Sequence, residues 1–283
     1  MIVTTFVFAI QDGISLYLAS KYNIVTIVTI RYWFFAFFVI VLFKKPWGKP
    51  NQGISSKHLL LQILRGLLLV SEVCVMVFAF TKLGLVQSHA IFISYPLLIA
   101  LLAGPLLKET VGVSRWLAIL MGFSGVYIIL RPEALVFNLY YLIPFCSALM
   151  FALYGILTRY VAAKDSSEIS FFWTGITGAV AITFWGPFFW EPPVGADWLW
   201  MGALCISGAF GHYLLIKTLE TAEASAVQPF SYFQLVFASS FGVFIFKEVI
   251  TLKVLIGSFI IILAGLITFY IEQKNISNTD QKS

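Results

Sequence analysis

The sequence predicts an all-α polytopic membrane protein, with ten transmembrane helices arranged as two inverted five-helix repeats. Composition is the first reason: 60% of the residues are hydrophobic, 17% aromatic and only 11% charged, and mean hydropathy is +0.94, whereas a soluble domain carries about 25% charged residues. The second is that ten apolar runs fill the chain between positions 2 and 271. The third is that the last five runs repeat the first five with a shift of 139 positions, the distance from Lys108-Glu109 to Lys247-Glu248. An odd number of spans per copy makes the second copy enter the membrane upside down, an arrangement on which many transporters are built.

The spans are read as 2–19, 25–43, 59–81, 86–107, 116–130, 138–158, 169–189, 198–216, 224–246 and 254–271. Each is long enough, or nearly so, for a helix across about 30 Å of hydrocarbon, and a helix satisfies its own backbone where no water reaches. Their apolar runs are continuous, whereas strands of a membrane barrel would alternate apolar and polar residues. The first span has no basic stretch before it and no small-residue cleavage pattern after it, so it is expected to be a retained helix rather than a signal peptide. In the fourth span Tyr95-Pro96 interrupts the run, and Pro229 does so in the ninth. Proline frees backbone carbonyls, which must find partners or line a cavity. Two repeats follow, 1–132 and 138–271, and the polar residues of 272–283 are expected to form a disordered cytoplasmic tail.

Orientation follows from the basic residues. Lys44, Lys45, Lys49, Lys57, Arg65, Lys108, Arg115, Arg159, Lys164, Lys217, Lys274 and Lys282 fall on the side that holds both termini. Lys21, Lys82, Arg131, Lys247 and Lys253 fall on the other. The positive-inside rule then puts both termini in the cytoplasm of a bacterial-type inner or plasma membrane. A net charge of +5 spread over short loops suits anionic lipid and requires no nucleic acid. Cys74, Cys146 and Cys205 all lie within spans, which argues against a disulfide framework or a metal site.

Gln11-Asp12, Arg31, Arg65-Gly66, Tyr95-Pro96-Leu97, Lys108-Glu109, Arg115-Trp116-Leu117-Ala118, the stretch from Gly122 to Val126 and Arg131-Pro132 together resemble the EamA-type branch of the drug/metabolite transporter superfamily. The segment from Ala224 to Gln234, followed by Phe246-Lys247-Glu248, resembles the matching part of the second half. The resemblance implies a ten-helix secondary carrier with a central cavity between the repeats. The first-half signature is similar to importers of S-adenosylmethionine and of riboflavin, and the superfamily also includes amino-acid exporters.

The charged residues within the spans are Asp12, Arg31, Arg65 and Glu72. A charge at the bilayer centre costs about 3 kcal/mol on insertion scales, so such groups face the protein interior or water. Counted from the non-cytoplasmic ends of their helices, Asp12, Arg31 and Glu72 lie at depths agreeing within roughly 5 Å. Glu72 is therefore expected to be the proton- or substrate-responsive carboxylate, with Asp12 and Arg31 as an orienting pair beside it; the competing expectation is a static buried network. Arg65, near the cytoplasmic end of its span, is expected to snorkel. His212 stands close to the position of Glu72 in the other repeat and is either a packing histidine or a proton relay; His89 lies near the outer end of its helix. Gln228, Ser231, Tyr232 and Gln234 complete the candidates on the ninth span. Tyr95, Tyr154 and Trp173 are aromatic candidates for stacking on a planar substrate.

There is no Walker loop, zinc-binding HExxH or nucleophile elbow, so ATP-driven transport and common hydrolytic chemistry lack their parts. No cofactor is expected. The expected partners are a small-molecule substrate, membrane lipids, and protons or a counter-substrate as the coupling species, with no signal for oligomeric state. A non-transporting membrane scaffold subunit is the alternative from another class.

Overall fold

The computed structural model describes residues 1–44, 55–107, 113–130, 139–222, 227 and 230–280. Among them every regular element is helical. The helices are α1 (Ile2–Ala19), α2 (Ile24–Lys44), α3 (Leu59–Phe92), α4 (Tyr95–Leu107), α5 (Val113–Leu130), α6 (Leu142–Ala162), α7 (Ser167–Thr183), α8 (Asp197–Thr221), α9 (Phe233–Phe244) and α10 (Leu252–Asp280). Among the described residues five stretches are long and apolar enough to cross a membrane: Ile2–Ala19, Ile24–Val41, Leu59–Leu102, Leu139–Ala162 and Asp197–Thr221. Trp116–Ile129, Phe233–Phe244 and Leu252–Ile267 are shorter apolar helices.

Two elements depart from the sequence expectation, each for a local reason. The run expected over 169–189 stops at Thr183 and gives way to a short 3-10 turn, Gly186–Phe189, because Pro187 has no N–H to continue the helix. Between the third and fourth spans the chain is helical on both sides of Gly84 and on to Phe92, but Gly84 itself (φ 78°, ψ 176°) is non-helical and divides the two stretches with a kink. A second break at Ser94 follows, and α4 restarts with Pro96 in its first turn, where the missing N–H costs nothing. The backbone of α10 is helical to Asp280.

The half-helix after Gly84 is tied to the far end of the chain. Glu248 accepts hydrogen bonds from the backbone N–H groups of Leu85 and Val86, both at 2.8 Å. These donors have no partner within the helix they open, and a carboxylate there also meets the positive end of the helix dipole. A Cβ on Gly84 would stand 2.8 Å from the carboxyl carbon and both oxygens of Glu248. The Lys-Glu dipeptide that marks the repeat is therefore, in its second copy, a helix cap. Its first copy, Lys108-Glu109, lies outside the described residues, as do Gln228 and Pro229.

The principal helix pairs are α3 with α6, α1 with α8, α2 with α7, α5 with α10, α1 with α9 and α4 with α6. Exchanging α1–α5 for α6–α10 maps α3/α6 onto α8/α1 and α1/α9 onto α6/α4, and leaves α2/α7 and α5/α10 on themselves. In the α5/α10 pair the backbones touch: a Cβ on Gly125 would stand 2.6 Å from the Gly257 carbonyl oxygen, an approach only small residues allow.

Arg65 does not snorkel. It is fully buried, donates from Nε to Thr158 at 2.9 Å and from Nη1 to the side-chain oxygen Oε1 of Gln62, and stacks 5.0 Å from the Tyr154 ring centroid. Gln62 in turn donates to Asp165 at 3.0 Å and to Ser170 at 3.1 Å. Asp165, between α6 and α7, also accepts from the Lys57 N–H at 2.9 Å and from the Ser56 hydroxyl, joining the start of α3 to the second half. Across the molecule the carboxylate of Asp197, at the start of α8, receives the hydroxyls of Tyr17 (2.9 Å) and Tyr22 (2.8 Å) and an ion pair from Lys21 (3.1 Å).

Burial alone would raise the pKa of Asp165, but the hydrogen bonds from Ser56, Gln62 and Lys57 outweigh it and hold the carboxyl below its usual range. A group depressed in the fold stabilises above its unfolded value, about 3.9, and that contribution is lost as pH falls through the folded value. Asp165→Ala is expected to cost about 1–3 kcal/mol near neutrality. In detergent this reads as a lower melting temperature at pH 7 that converges on wild type in acid below about pH 4.

Candidate functional site

The faces of the broken and unbroken helices converge on a small internal cavity of about 40 Å³, well short of the roughly 300–1,000 Å³ of small-molecule sites. From α1 come Phe8, Gln11 and Asp12, three and four residues apart and so on one face. Arg31 reaches in from α2, Glu72 and Phe80 from the first part of α3, and His89 and Phe92 from the half-helix beyond Gly84. The second half supplies Phe151 from α6, His212 from α8 and Gln234 from α9. Phe151 stands 139 positions beyond Asp12 in the chain and faces the same space with an apolar side chain.

The charged groups are held apart by neutral partners. Glu72 accepts from the Ser147 hydroxyl at 2.6 Å through Oε1. Asp12 Oδ2 accepts from Gln234 Nε2 at 3.3 Å and lies 3.2 Å from His89 Nε2, a contact without the alignment of a hydrogen bond. Arg31 Nη2 donates to His212 Nε2 at 3.1 Å, and Phe8 packs on the same imidazole with ring centroids 5.1 Å apart. A guanidinium cannot accept, so His212 must, which places its ring proton on Nδ1. Asp12 and Arg31 thus do not form the expected ion pair: each is paired with a histidine, because α8 and the half-helix beyond Gly84 bring those rings nearer than the carboxylate and guanidinium come to each other.

Of the other residues singled out in the sequence, Tyr95 stands behind the cavity, edge-on to Phe151 at 4.9 Å, and beside Ser231. Tyr154 is committed to Arg65. Tyr232 is buried against Gly265 of α10, and Ser231 is fully buried. Trp173 lines a separate apolar crevice with Leu67, Phe184 and Trp185. None of these five lines the central cavity. His89 and Ser147 were missed as site residues; for both the available signal was a polar side chain within an apolar stretch. Among the described residues no three metal-ligating groups converge. The cavity is thus walled by phenyl rings, with one guanidinium and two carboxylates at separate points.

Comparison with known proteins accords with that arrangement. A family model described as the EamA-like transporter family matches residues 1–131 and 138–270. The S-adenosylmethionine uptake transporter of Rickettsia prowazekii is 27% identical over 95% of this chain and 91% of its own length, and that of Rickettsia bellii is 29% identical over 94% and 91%. The riboflavin transporter of Vibrio cholerae is 27% identical over 93% of this chain and 89% of its own. A crystal structure of a protein 16% identical in sequence superposes over 96% of this chain and 97% of that one with a TM-score of 0.65, which shows a shared fold.

Proposed function

We propose, from the premise that the chain belongs to the EamA-like transporter family, that this membrane transporter is a secondary importer of a small organic metabolite. Its substrate class is that of S-adenosylmethionine or riboflavin, the solutes for which its relatives are named. The chain crosses the membrane ten times as two inverted repeats, 1–132 and 138–271, with both termini in the cytoplasm. The repeat-exchanged helix pairing supports that layout, and so does the distribution of lysine and arginine. Asp12, Arg31, Glu72, His212 and Gln234 bind the substrate at the joint between the repeats, and the cavity opens to alternate faces as one repeat rocks against the other. Proton exchange at Glu72 couples the cycle to the proton gradient.

One observation carries this reading: two carboxylates and a guanidinium are buried around a single cavity to which both halves contribute. Charges in such a place are costly to fold around, and in membrane proteins they mark a solute or ion path. The test is uptake of labelled S-adenosylmethionine and labelled riboflavin into cells producing the protein, with and without a proton uncoupler. Uptake of one of them above the empty-vector rate, reduced by the uncoupler, is expected. A purified, reconstituted protein that passes neither these solutes nor any metabolite of a broad panel would be a scaffold subunit, and this reading would fall.

A further inference from the structure

The cavity holds opposite charges with unused bonding capacity, and that narrows the chemistry of its ligand. Arg31 is 4% exposed, and its one hydrogen bond among the described residues goes to His212. Four of its five N–H donors are thus uncommitted, although Gly208, whose Cβ would stand 2.8 Å from Nε, closes that edge of the guanidinium. His212 accepts without supplying negative charge, so it orients Arg31 and does not neutralise it. Glu72, 5% exposed, uses Oε1 for Ser147, and Oε2 has no partner among the described residues. No ion pair joins Glu72 to Arg31. Asp12 differs from both, being engaged by Gln234 and His89. A buried charge left unpaired is costly, and a ligand that pairs it recovers the cost. A neutral flavin satisfies neither end, an anion leaves Glu72 facing like charge, and a simple cation leaves Arg31 unpaired.

We propose that Arg31 and Glu72 are the two poles of a binding site for a zwitterionic solute of amino-acid type. Arg31 receives the carboxylate, and Glu72 receives the ammonium or another onium centre. Phe8 and Phe151 flank the space between for the remaining, less polar part of the ligand. The inference rests on the transporter reading above and deepens it, since it separates the two substrate classes the relatives represent.

The test pairs a change in the ligand with a change in the protein. Binding of S-adenosylmethionine, its decarboxylated analogue and riboflavin is measured by equilibrium competition on the purified full chain in nanodiscs, and flux is measured in proteoliposomes. Wild type should prefer the carboxylate-bearing ligand over its decarboxylated analogue by about tenfold or more, as expected of a charged hydrogen bond. In Arg31→Gln that ratio should fall to about twofold, because the analogue and the variant remove the same contact. Arg31→Lys keeps the charge and loses the planar fork, so it should give a ratio of roughly threefold; it serves if the glutamine variant is not monodisperse. A ratio that stays near tenfold in both variants overturns the proposal. Binding and flux of riboflavin with none for S-adenosylmethionine or its decarboxylated analogue overturns it while leaving the transporter reading standing. Absence of any solute flux brings down both.

Discussion

Replacing Glu72 with glutamine lowers the initial rate of substrate uptake by about tenfold to a hundredfold and removes its sensitivity to an uncoupler. Glutamine has nearly the shape of glutamate, and its carbonyl oxygen can still accept from Ser147, which lies 2.6 Å from Oε1. The packing of α3 against α6 should therefore survive, and the variant should remain monodisperse. What disappears is the charge and the exchangeable proton. Contacts to a charged group are worth about 1.5–3 kcal/mol each, which sets the expected range of rate loss. The measurement is uptake of labelled solute at matched protein level, across a range of external pH. A normal rate with unchanged proton dependence would remove Glu72 from the mechanism and leave the cavity acids as a static network.

Gly84→Ala is expected to be strongly destabilising. The backbone there has φ 78° and ψ 176°, a region open essentially to glycine and costing a side chain about 1–3 kcal/mol. The added methyl would also sit 2.8 Å from the Glu248 carboxylate. Glu248 would have to move and release the N–H groups of Leu85 and Val86, adding about 1–3 kcal/mol. The combined effect, about 3 kcal/mol or more, should appear as a large drop in melting temperature in detergent. Glu248→Gln, which keeps one acceptor oxygen and the shape, should lose much less. Because the released half-helix carries His89 against Asp12, uptake should fall in the alanine variant even below its melting point. A Gly84→Ala protein as stable as wild type would show that the cap does not hold this segment.

The membrane class and the convergence of Asp12, Arg31 and Glu72 were legible in the sequence because both are one-dimensional signals. Apolar length gives spans, and a charge inside a span must turn inward at a countable depth. The partners of those charges were not legible. Asp12 meets Gln234, 222 positions away, and Glu248 caps Leu85 across 163; such pairings depend on which helix faces meet, and helical periodicity says little about that when nearly every residue is apolar. Arg65 shows the same gap from the other side. Its place near a span end favoured snorkelling, but tyrosine, threonine and glutamine side chains surround it, and only tertiary packing assembles that pocket. Gly84 was the more readable clue, since a glycine between two apolar runs, with a Lys-Glu pair elsewhere at a span end, is what a capped restart requires.

The environment of Arg65 bears on how the chain is made. Tyr154, Thr158 and, through Gln62, Asp165 all lie about ninety or more residues later in the chain. When α3 leaves the ribosome none of them has been synthesised, so a guanidinium with only Gln62, one turn earlier, to bond waits near the membrane. The insertion machinery, lipid headgroups or a chaperone must tolerate it until α6 arrives. Expressed alone, the first half should be recognised by quality-control proteases and degraded. Supplying the second half as a separate polypeptide should rescue it, and the rescue should depend on Thr158 and Tyr154.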